Sequence, residues 1–316
     1  MRTFATEPSV TLVIPVFNEE AVLEELFRRL TALFDQQSAI NWCALLVNDG
    51  SRDRSTGLLR AQASCDLRLQ ALELKRNFCF QAALVVGLAH AAGDAVITLD
   101  ADLQDPPEII PVLVARWREG ADLVRAVRRS RQETGVRRAG MDLFHGMFGR
   151  LTDFPFEANT GTIGLMDREA VDALNSLPER RRFSPRLRSW VSFTIGEVHY
   201  DRHERAAGVP QQTLVILIRY ALDGVFSFSY LPLRMLTYCG ILTALVGFAA
   251  AVFYTFRRIM GIETAPTGYT TLATTVLFLG GVKLIGIGVL GEYLGRIYDE
   301  VKRRPLYVVR RESPPQ

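Results

Sequence analysis

GDAVITLDADLQDPPE, residues 93–108, decides the fold. Its front half, DAVITLDAD (94–102), is an apolar run too short for a helix and reads as a buried strand. Behind it, Pro106 and Pro107 stop regular structure. Asp100 and Asp102 stand two residues apart at the strand's mouth, and Gln104 adds a neutral oxygen. Closely spaced oxygen ligands suit a hard divalent cation, Mg2+ or Mn2+, held where it can neutralise a diphosphate. An isolated D-x-D is most often a solvated turn. The apolar strand in front and the proline stop behind favour a site here.

Three further short strands precede this one: VTLVIPV (10–16), ALLVND (44–49) and LRLQALEL (67–74). The helical patterns AVLEELFRRLTALF and QAALVVGLAHAA lie among them, so strand and helix alternate and predict an α/β domain with a largely parallel sheet. Ligands of such sheets sit beyond the carboxyl ends of the strands, where PVFNEE, NDGSRD and DADLQD fall. Asn18, Glu19 and Glu20 follow the first strand; Asp49, Gly50 and Ser51 follow the second. Their carboxylates can accept hydrogen bonds from ribose hydroxyls or a base N–H, and Gly50 lets the backbone approach. Taken singly, the glutamates read as the acidic start of a helix and NDGS as a common turn; together, at strand ends, they read as one site.

Of the 316 residues 48% are hydrophobic, and the excess is uneven. Residues 1–210 have the mixed charge of a soluble domain. Two apolar stretches follow, 233–256 and 270–291, each long enough to cross about 30 Å of hydrocarbon. RRIMGIETAPTG links them, so a helical hairpin is expected, with a basic tail over 292–316 containing VKRRPLYVVRR. The positive-inside rule puts that tail, and with it residues 1–210, in the cytosol, although Arg257 and Arg258 fall on the far side. The amino-terminal residues carry no apolar signal core, which agrees. Residues 211–232 include TLVILIRYALDGVFSFS, interrupted by Arg219 and Asp223. Two readings stand for it: an amphipathic juxtamembrane helix, or a helix packed on the soluble core.

A net charge of +3 is too small to argue for nucleic acid as a partner. The four cysteines show no CxxC spacing, which disfavours zinc and disulfides and fits a reducing cytosol. His90, His145, His199 and His203 lack metal-ligand spacing as well. Lys283 falls near the middle of the second stretch and is expected to face protein or water; a lipid-phosphate contact is one reading, snorkelling or an intersubunit partner the other. Gly291 with Gly295, and Gly240 with Ala244, are small-residue pairs that serve either hairpin packing or self-association into a homo-oligomer.

VIPVFNEE, VNDGSRDRS, RNFCFQAALVVGL, GDAVITLDADLQDPPE, ALDGVFSFSYLPLR and LGEYLGRIYDEVKRRPLYVV together resemble membrane-bound family-2 glycosyltransferases of GT-A fold that act on polyprenyl phosphates, the group of dolichol-phosphate mannose synthases and bactoprenol glucosyltransferases. The resemblance spans nearly the whole chain. It implies a multi-pass inner-membrane enzyme with a Rossmann-like catalytic domain facing the cytosol. The reaction implied is inverting transfer from a nucleotide sugar, UDP-glucose by default, to polyprenyl (undecaprenyl) phosphate. Mannose, an amino sugar or a modified pentose are the alternative sugars. The backbone of Pro15 and Phe17, with Glu19 and Asp49, would hold the nucleoside. Asp100 would touch ribose or metal, Asp102 and Gln104 would bind Mg2+ or Mn2+, and Arg128 and Arg138 would meet the acceptor phosphate. Asp100 and Asp102 are thus the implied catalytic pair.

An acceptor phosphate is already anionic at neutral pH, its second pKa lying near 6, so no strong base and no triad are expected. The chain departs from the family pattern at Cys79 and Phe80, where relatives usually carry Gly and Lys. It departs again at NTGTIG (159–164) and at Val209, Pro210 and Gln211. Altered specificity is the reading preferred for these changes; a non-catalytic scaffold keeping the fold is the alternative. A processive polysaccharide synthase is disfavoured because RLRSW (186–190) lacks the glutamine of the Q-x-x-R-W element.

Overall fold

The computed structural model describes residues 7–128, 160–177, 194–200, 231–260, 268–302 and 304–310. The described residues divide into two compact units, one holding the sheet and residues 304–310, the other holding two long helices.

In the first unit the order is β1 (Ser9–Val16), α1 (Leu23–Gln36), β2 (Asn41–Asn48), α2 (Ser55–Cys65), β3 (Leu69–Glu73), α3 (Phe80–His90), β4 (Ala95–Thr98), a 3-10 turn (Pro107–Ile109), α4 (Ile110–Arg118), β5 (Leu123–Arg128), β6 (Thr160–Asp167), α5 (Arg168–Ser176) and β7 (Ile195–Tyr200). The strands form one sheet in the order β3-β2-β1-β4-β6-β5-β7. β3, β2, β1 and β4 run parallel. β6 is antiparallel to both β4 and β5, and β7 runs parallel to β5. The largely parallel expectation therefore holds for every strand but β6, whose two antiparallel pairings make the sheet mixed. β4 is also shorter than expected, because the chain leaves the ladder after Leu99, whose N–H still reaches the Val13 carbonyl at 3.1 Å.

Alternation along the strands builds two apolar layers. Val10, Leu12 and Ile14 of β1, Ala44 and Leu46 of β2, and Ala95 and Ile97 of β4 pack against α1 and α4. Val13, Leu45, Val47 and Val96 point the other way, onto α3 and α5. Each fully buried aliphatic side chain contributes about 1.5–3 kcal/mol. α3 is apolar on nearly every side because it is nearly engulfed: Ala83 through Leu88 are all buried. It also lies very close to the sheet, since a Cβ at Gly87 would stand 2.1 Å from Val13 Cγ1.

Residues 304–310, read from sequence as part of a basic tail, join this unit at the outer edge of β3. Leu74 and Val309 form an antiparallel bridge. Lys75 N–H donates to the Val308 carbonyl at 3.0 Å and Arg310 N–H to the Glu73 carbonyl at 2.8 Å. Leu306, Tyr307 and Val309 pack on the α3-side apolar layer, alongside Leu72 and Phe78.

The second unit contains α6 (Leu231–Ile259) and α7 (Tyr269–Val301). Its apolar side chains are exposed: Leu284 is 70% and Phe248 71% accessible. Leu236 of α6 approaches α7 at Gly286, where a Cβ would lie 3.8 Å from Leu236 Cδ2. Among the described residues one stretch is long and apolar enough to cross a bilayer, Phe278–Val301; the apolar part of α6, Leu233–Ala249, is shorter. The expected juxtamembrane segment 211–232 lies outside the described residues except for its last two, which open α6.

Candidate active site

Topology selects the location. β2 and β3 lie on one side of β1 and β4 on the other, so a crevice opens at the carboxyl ends of β1 and β4. The chain leaves each of the first four strands through a left-handed residue: Asn18 (φ 55°), Gly50 (φ 71°), Cys79 (φ 79°) and Leu103 (φ 57°). Asn18, Cys79 and Leu103 are the non-glycine residues with positive φ among those described. Such backbone costs about 1–3 kcal/mol per residue and concentrates at functional sites.

After β4 the loop is two-faced. Ala101, Leu103 and Asp105 are buried, while Asp100, Asp102 and Gln104 between them are partly exposed. The three buried residues anchor the loop from below. Ala101 and Leu103 enter the apolar layer, and the fully buried Asp105 accepts the Tyr200 hydroxyl at 2.6 Å. On the open face, Asp102 Oδ1 accepts the Gln104 N–H at 3.1 Å, which tightens the turn. Asp100, Asp102 and Gln104 thus alternate with the anchoring residues on one loop at the crevice and stay partly exposed, with Asp100 Oδ1 itself enclosed. No cluster of three or more His, Cys, Asp or Glu occurs among the described residues. Two carboxylates and an amide nonetheless fit Mg2+ or Mn2+, which keep places for substrate phosphate oxygens and water.

The exits of β1 and β2 are laced together. Asn18 N–H donates to Ser51 Oγ at 3.1 Å, and Asn18 Oδ1 accepts the Arg52 N–H at 2.8 Å. Glu19 N–H donates to Ser55 Oγ at 3.1 Å. Glu20 accepts the Arg54 N–H at 2.9 Å, so its carboxylate serves the loop itself. Pro15 is buried within β1, opposite Val47, and Phe17 just beyond is 40% exposed at the mouth.

Asp49 is almost fully buried and clasps the next loop, accepting the Phe78 N–H on Oδ1 at 2.7 Å. Burial pushes its carboxyl up, against the pull of hydrogen bonds from the Phe78 and Cys79 backbone. A Cβ at Gly50 would stand 2.5 Å from the Arg76 carbonyl carbon, so only glycine fits there. Asn77 Oδ1 accepts the Cys79 N–H at 2.9 Å, and the Arg76 guanidinium lies 4.7 Å from the Phe78 ring centroid.

On the other half of the sheet, Arg128 ends β5 opposite Tyr200 in the β5–β7 pairing. β5 runs in the same direction as β4, so Arg128 reaches the edge that carries Asp100. β6 begins at that edge within the NTGTIG segment, where the Thr98 hydroxyl donates to the Thr162 carbonyl at 2.6 Å. Arg138 and residues 209–211 lie outside the described residues. The structure thus gathers Pro15, Phe17, Glu19, Asp49, Asp100, Asp102, Gln104 and the backbone of Arg128 along one edge. Sequence reasoning missed Tyr200, which fastens the D-x-D loop through Asp105. The alternating IGEVHY is the signal that would have found its strand.

A cleft of about 370 Å³ lies at the opposite edge, among Ser9, Trp42, Cys43 and His90. It holds no paired carboxylates and none of the strand-exit loops, so the chemistry belongs to the carboxyl edge.

The glycosyl transferase family 2 model matches residues 11–174, and the GtrB C-terminal hairpin model matches residues 231–297. The chain is 45% identical over 302 residues to the uncharacterized glycosyltransferase sll0501 of Synechocystis, covering 95% of this chain and 94% of that one. It is 40% identical over 303 residues to the SfII prophage-derived bactoprenol glucosyl transferase of Shigella flexneri, covering 96% and 97%. Among solved structures, glucosyl-3-phosphoglycerate synthase from Mycobacterium tuberculosis, in complex with Mn2+, UDP and glucosyl-3-phosphoglycerate, superposes with a TM-score of 0.51 at 22% identity. It covers 70% of this chain and 79% of its own, a likeness of fold. With a Rossmann-like mixed sheet of GT-A type, strand exits built into one edge and relatives matched along almost its full length, the chain belongs to glycosyl transferase family 2.

Proposed function

We propose that this glycosyltransferase moves glucose from UDP-glucose to a polyprenyl phosphate at the cytosolic face of the inner membrane. The observation that carries the reading is the two-faced loop after β4, with Asp100, Asp102 and Gln104 partly exposed beside the left-handed exits of β1, β2 and β3. The acceptor class is supported by a bactoprenol glucosyl transferase 40% identical over nearly the whole chain. Asp102 and Gln104 hold a divalent ion, Asp100 reaches ribose or the same ion, and Glu19, Phe17 and Pro15 border the nucleoside. Mn2+ beside UDP in a protein of the same fold supports the metal. A bound Mg2+ or Mn2+ supplies positive charge for the departing diphosphate. Asp49 orders the loop that closes the nucleoside side. Arg128 and Arg138 are proposed for the acceptor phosphate, because guanidinium groups suit phosphate oxygens.

The anionic phosphate oxygen attacks the anomeric carbon, a new C–O bond forms, the bond to the nucleoside diphosphate breaks, and configuration inverts from α to β. The residues need only orient and screen charge.

The chain crosses the bilayer twice through α6 and α7. Residues 304–310 pair with β3, and a single crossing would leave them on the far side from their partner strand. Leu233–Ala249, at 17 residues, is at the lower end of what spans hydrocarbon. Among the described residues nothing lies within 4 Å of a Cβ built on Gly240, Gly291 or Gly295, so these small residues leave room for a second helix, whether of the hairpin or of another copy.

Purified protein is incubated with a panel of nucleotide sugars, Mg2+ or Mn2+ and polyprenyl phosphate, and the lipid product is identified by mass. A hexosyl phospholipid is expected, and Asp102→Ala should lower its formation by about 10²- to 10³-fold. Unchanged activity in that variant would sink the proposal. Nucleotide binding without turnover across the panel would point to the scaffold reading instead.

A further inference from the structure

We propose that the carboxyl-terminal residues 304–310 are a positioning element of the donor site, holding the β3–α3 loop in its binding shape. The inference rests on the strand exits being that site. β3 is the edge strand of the sheet, and an unpaired edge offers free N–H and C=O groups. Residues 73–75, at the exit of β3, are bonded on both sides instead. Leu74 N–H donates to the Asn48 carbonyl at 2.9 Å on the β2 side, and the bonds to Val308 and from Arg310 lie on the other.

Glu73 adds a side-chain anchor. Its nearly buried carboxylate takes Arg60 of α2 at 2.5 and 2.8 Å, and Arg310 lies 3.6 Å away. The next residues, Arg76 to Cys79, form the loop that presses on Gly50 and is clasped by Asp49. Phe78 of that loop packs on the same apolar layer as Leu306, Tyr307 and Val309. The loop is therefore held from β2 by Asp49 and from the outside by a segment more than 220 residues later in the chain. That segment follows α7 directly. Removing it frees one side of residues 73–75 and strips Leu306, Tyr307 and Val309 from the apolar layer on which Phe78 also rests, so the nucleotide must order the loop as it binds.

The test uses the full-length protein in lipid nanodiscs, with Arg310→Pro, which deletes one bridging N–H, and Leu306→Ser/Val309→Ser, which removes the packing. Amide hydrogen exchange over residues 76–80 should accelerate about tenfold in both, with β1 and β4 amides unchanged. The Kd for UDP with Mn2+ should rise about tenfold while kcat at saturating donor stays within about twofold, and Arg310→Lys should behave as wild type. Exchange at 76–80 that is unchanged, or that rises only together with β1 and β4, overturns the inference and leaves a merely structural tail. If the double variant does not fold, Arg310→Pro alone decides. Wild-type protein that binds no nucleotide defeats the donor-site reading, whereas the exchange measurement still decides whether the tail holds the loop.

Discussion

Leu12 in β1 and Leu284 in α7 are the same residue in opposite circumstances: the first has no accessible surface and the second is 70% exposed. Around Leu12 the chain supplies its own cover from α1 and α4. Around Leu284 it supplies little, yet α7 is among the most apolar segments of the chain. Apolar composition states how much surface must leave water and is silent about what covers it. In the sheet unit the cover is protein; in the helical unit the proposed cover is lipid.

Truncation separates the two most sharply. Leu12→Ala should cost about 2–5 kcal/mol, read by denaturation of the catalytic unit's tryptophan signal, whereas Leu284→Ala should cost under about 0.5 kcal/mol. Equal losses would mean that Leu284 is covered by protein. A charge probes the other side of the contrast. Ile287→Lys, at a position 63% exposed, should disfavour membrane insertion by about 3 kcal/mol, measured by partition between membrane and soluble fractions. Val112→Lys on α4, 48% exposed, should change stability by no more than about 0.5 kcal/mol. If both lysines are tolerated alike, lipid does not cover α7.

Smaller effects are confined to the strand exits, where backbone strain has no counterpart in the described helices. Cys79→Gly should raise stability by about 1 kcal/mol, because φ 79° suits glycine, offset partly by the freer unfolded chain. A thermal melt that does not rise would show that the loop relaxes around cysteine. The pH dependence tied to Asp49 is the smallest. Burial raises its carboxyl pKa above the ordinary value of 3.8, so the folded state keeps the proton longer than the unfolded state. Its contribution to stability is full below 3.8 and shrinks as pH rises through the folded value. Asp49→Asn, which cannot ionise, should flatten that part of the stability profile, and a variant whose slope matches wild type would refute the assignment.

The first four strands were legible because each is an alternating or continuous apolar run ended by turn residues. The D-x-D loop was legible because a strand precedes it and prolines follow. β5 and β6 were not. LVRAVR carries Arg125 in a buried place, and TGTIGLMD opens with residues that usually mark a loop. The tail was read by its arginines as a basic cytosolic segment, and only PLYVV between them hinted at a strand whose partner lies far away in sequence. Glu20 also bonds the Arg54 N–H and Asp49 the Phe78 N–H, a structural duty beside the proposed nucleoside contact of Asp49 that depends on tertiary geometry. Arg138 remains a proposal from resemblance.

Gly87 constrains anyone who would engineer this scaffold. Exchanging a mid-helix glycine for alanine ordinarily gains about 1 kcal/mol and is a standard entry in thermostabilising libraries. Here the added methyl would land 2.1 Å from Val13 Cγ1, so α3 would have to tilt off β1. The same tilt would move Phe80 and Cys79 at its amino end, and a variant chosen for helicity would forfeit turnover first.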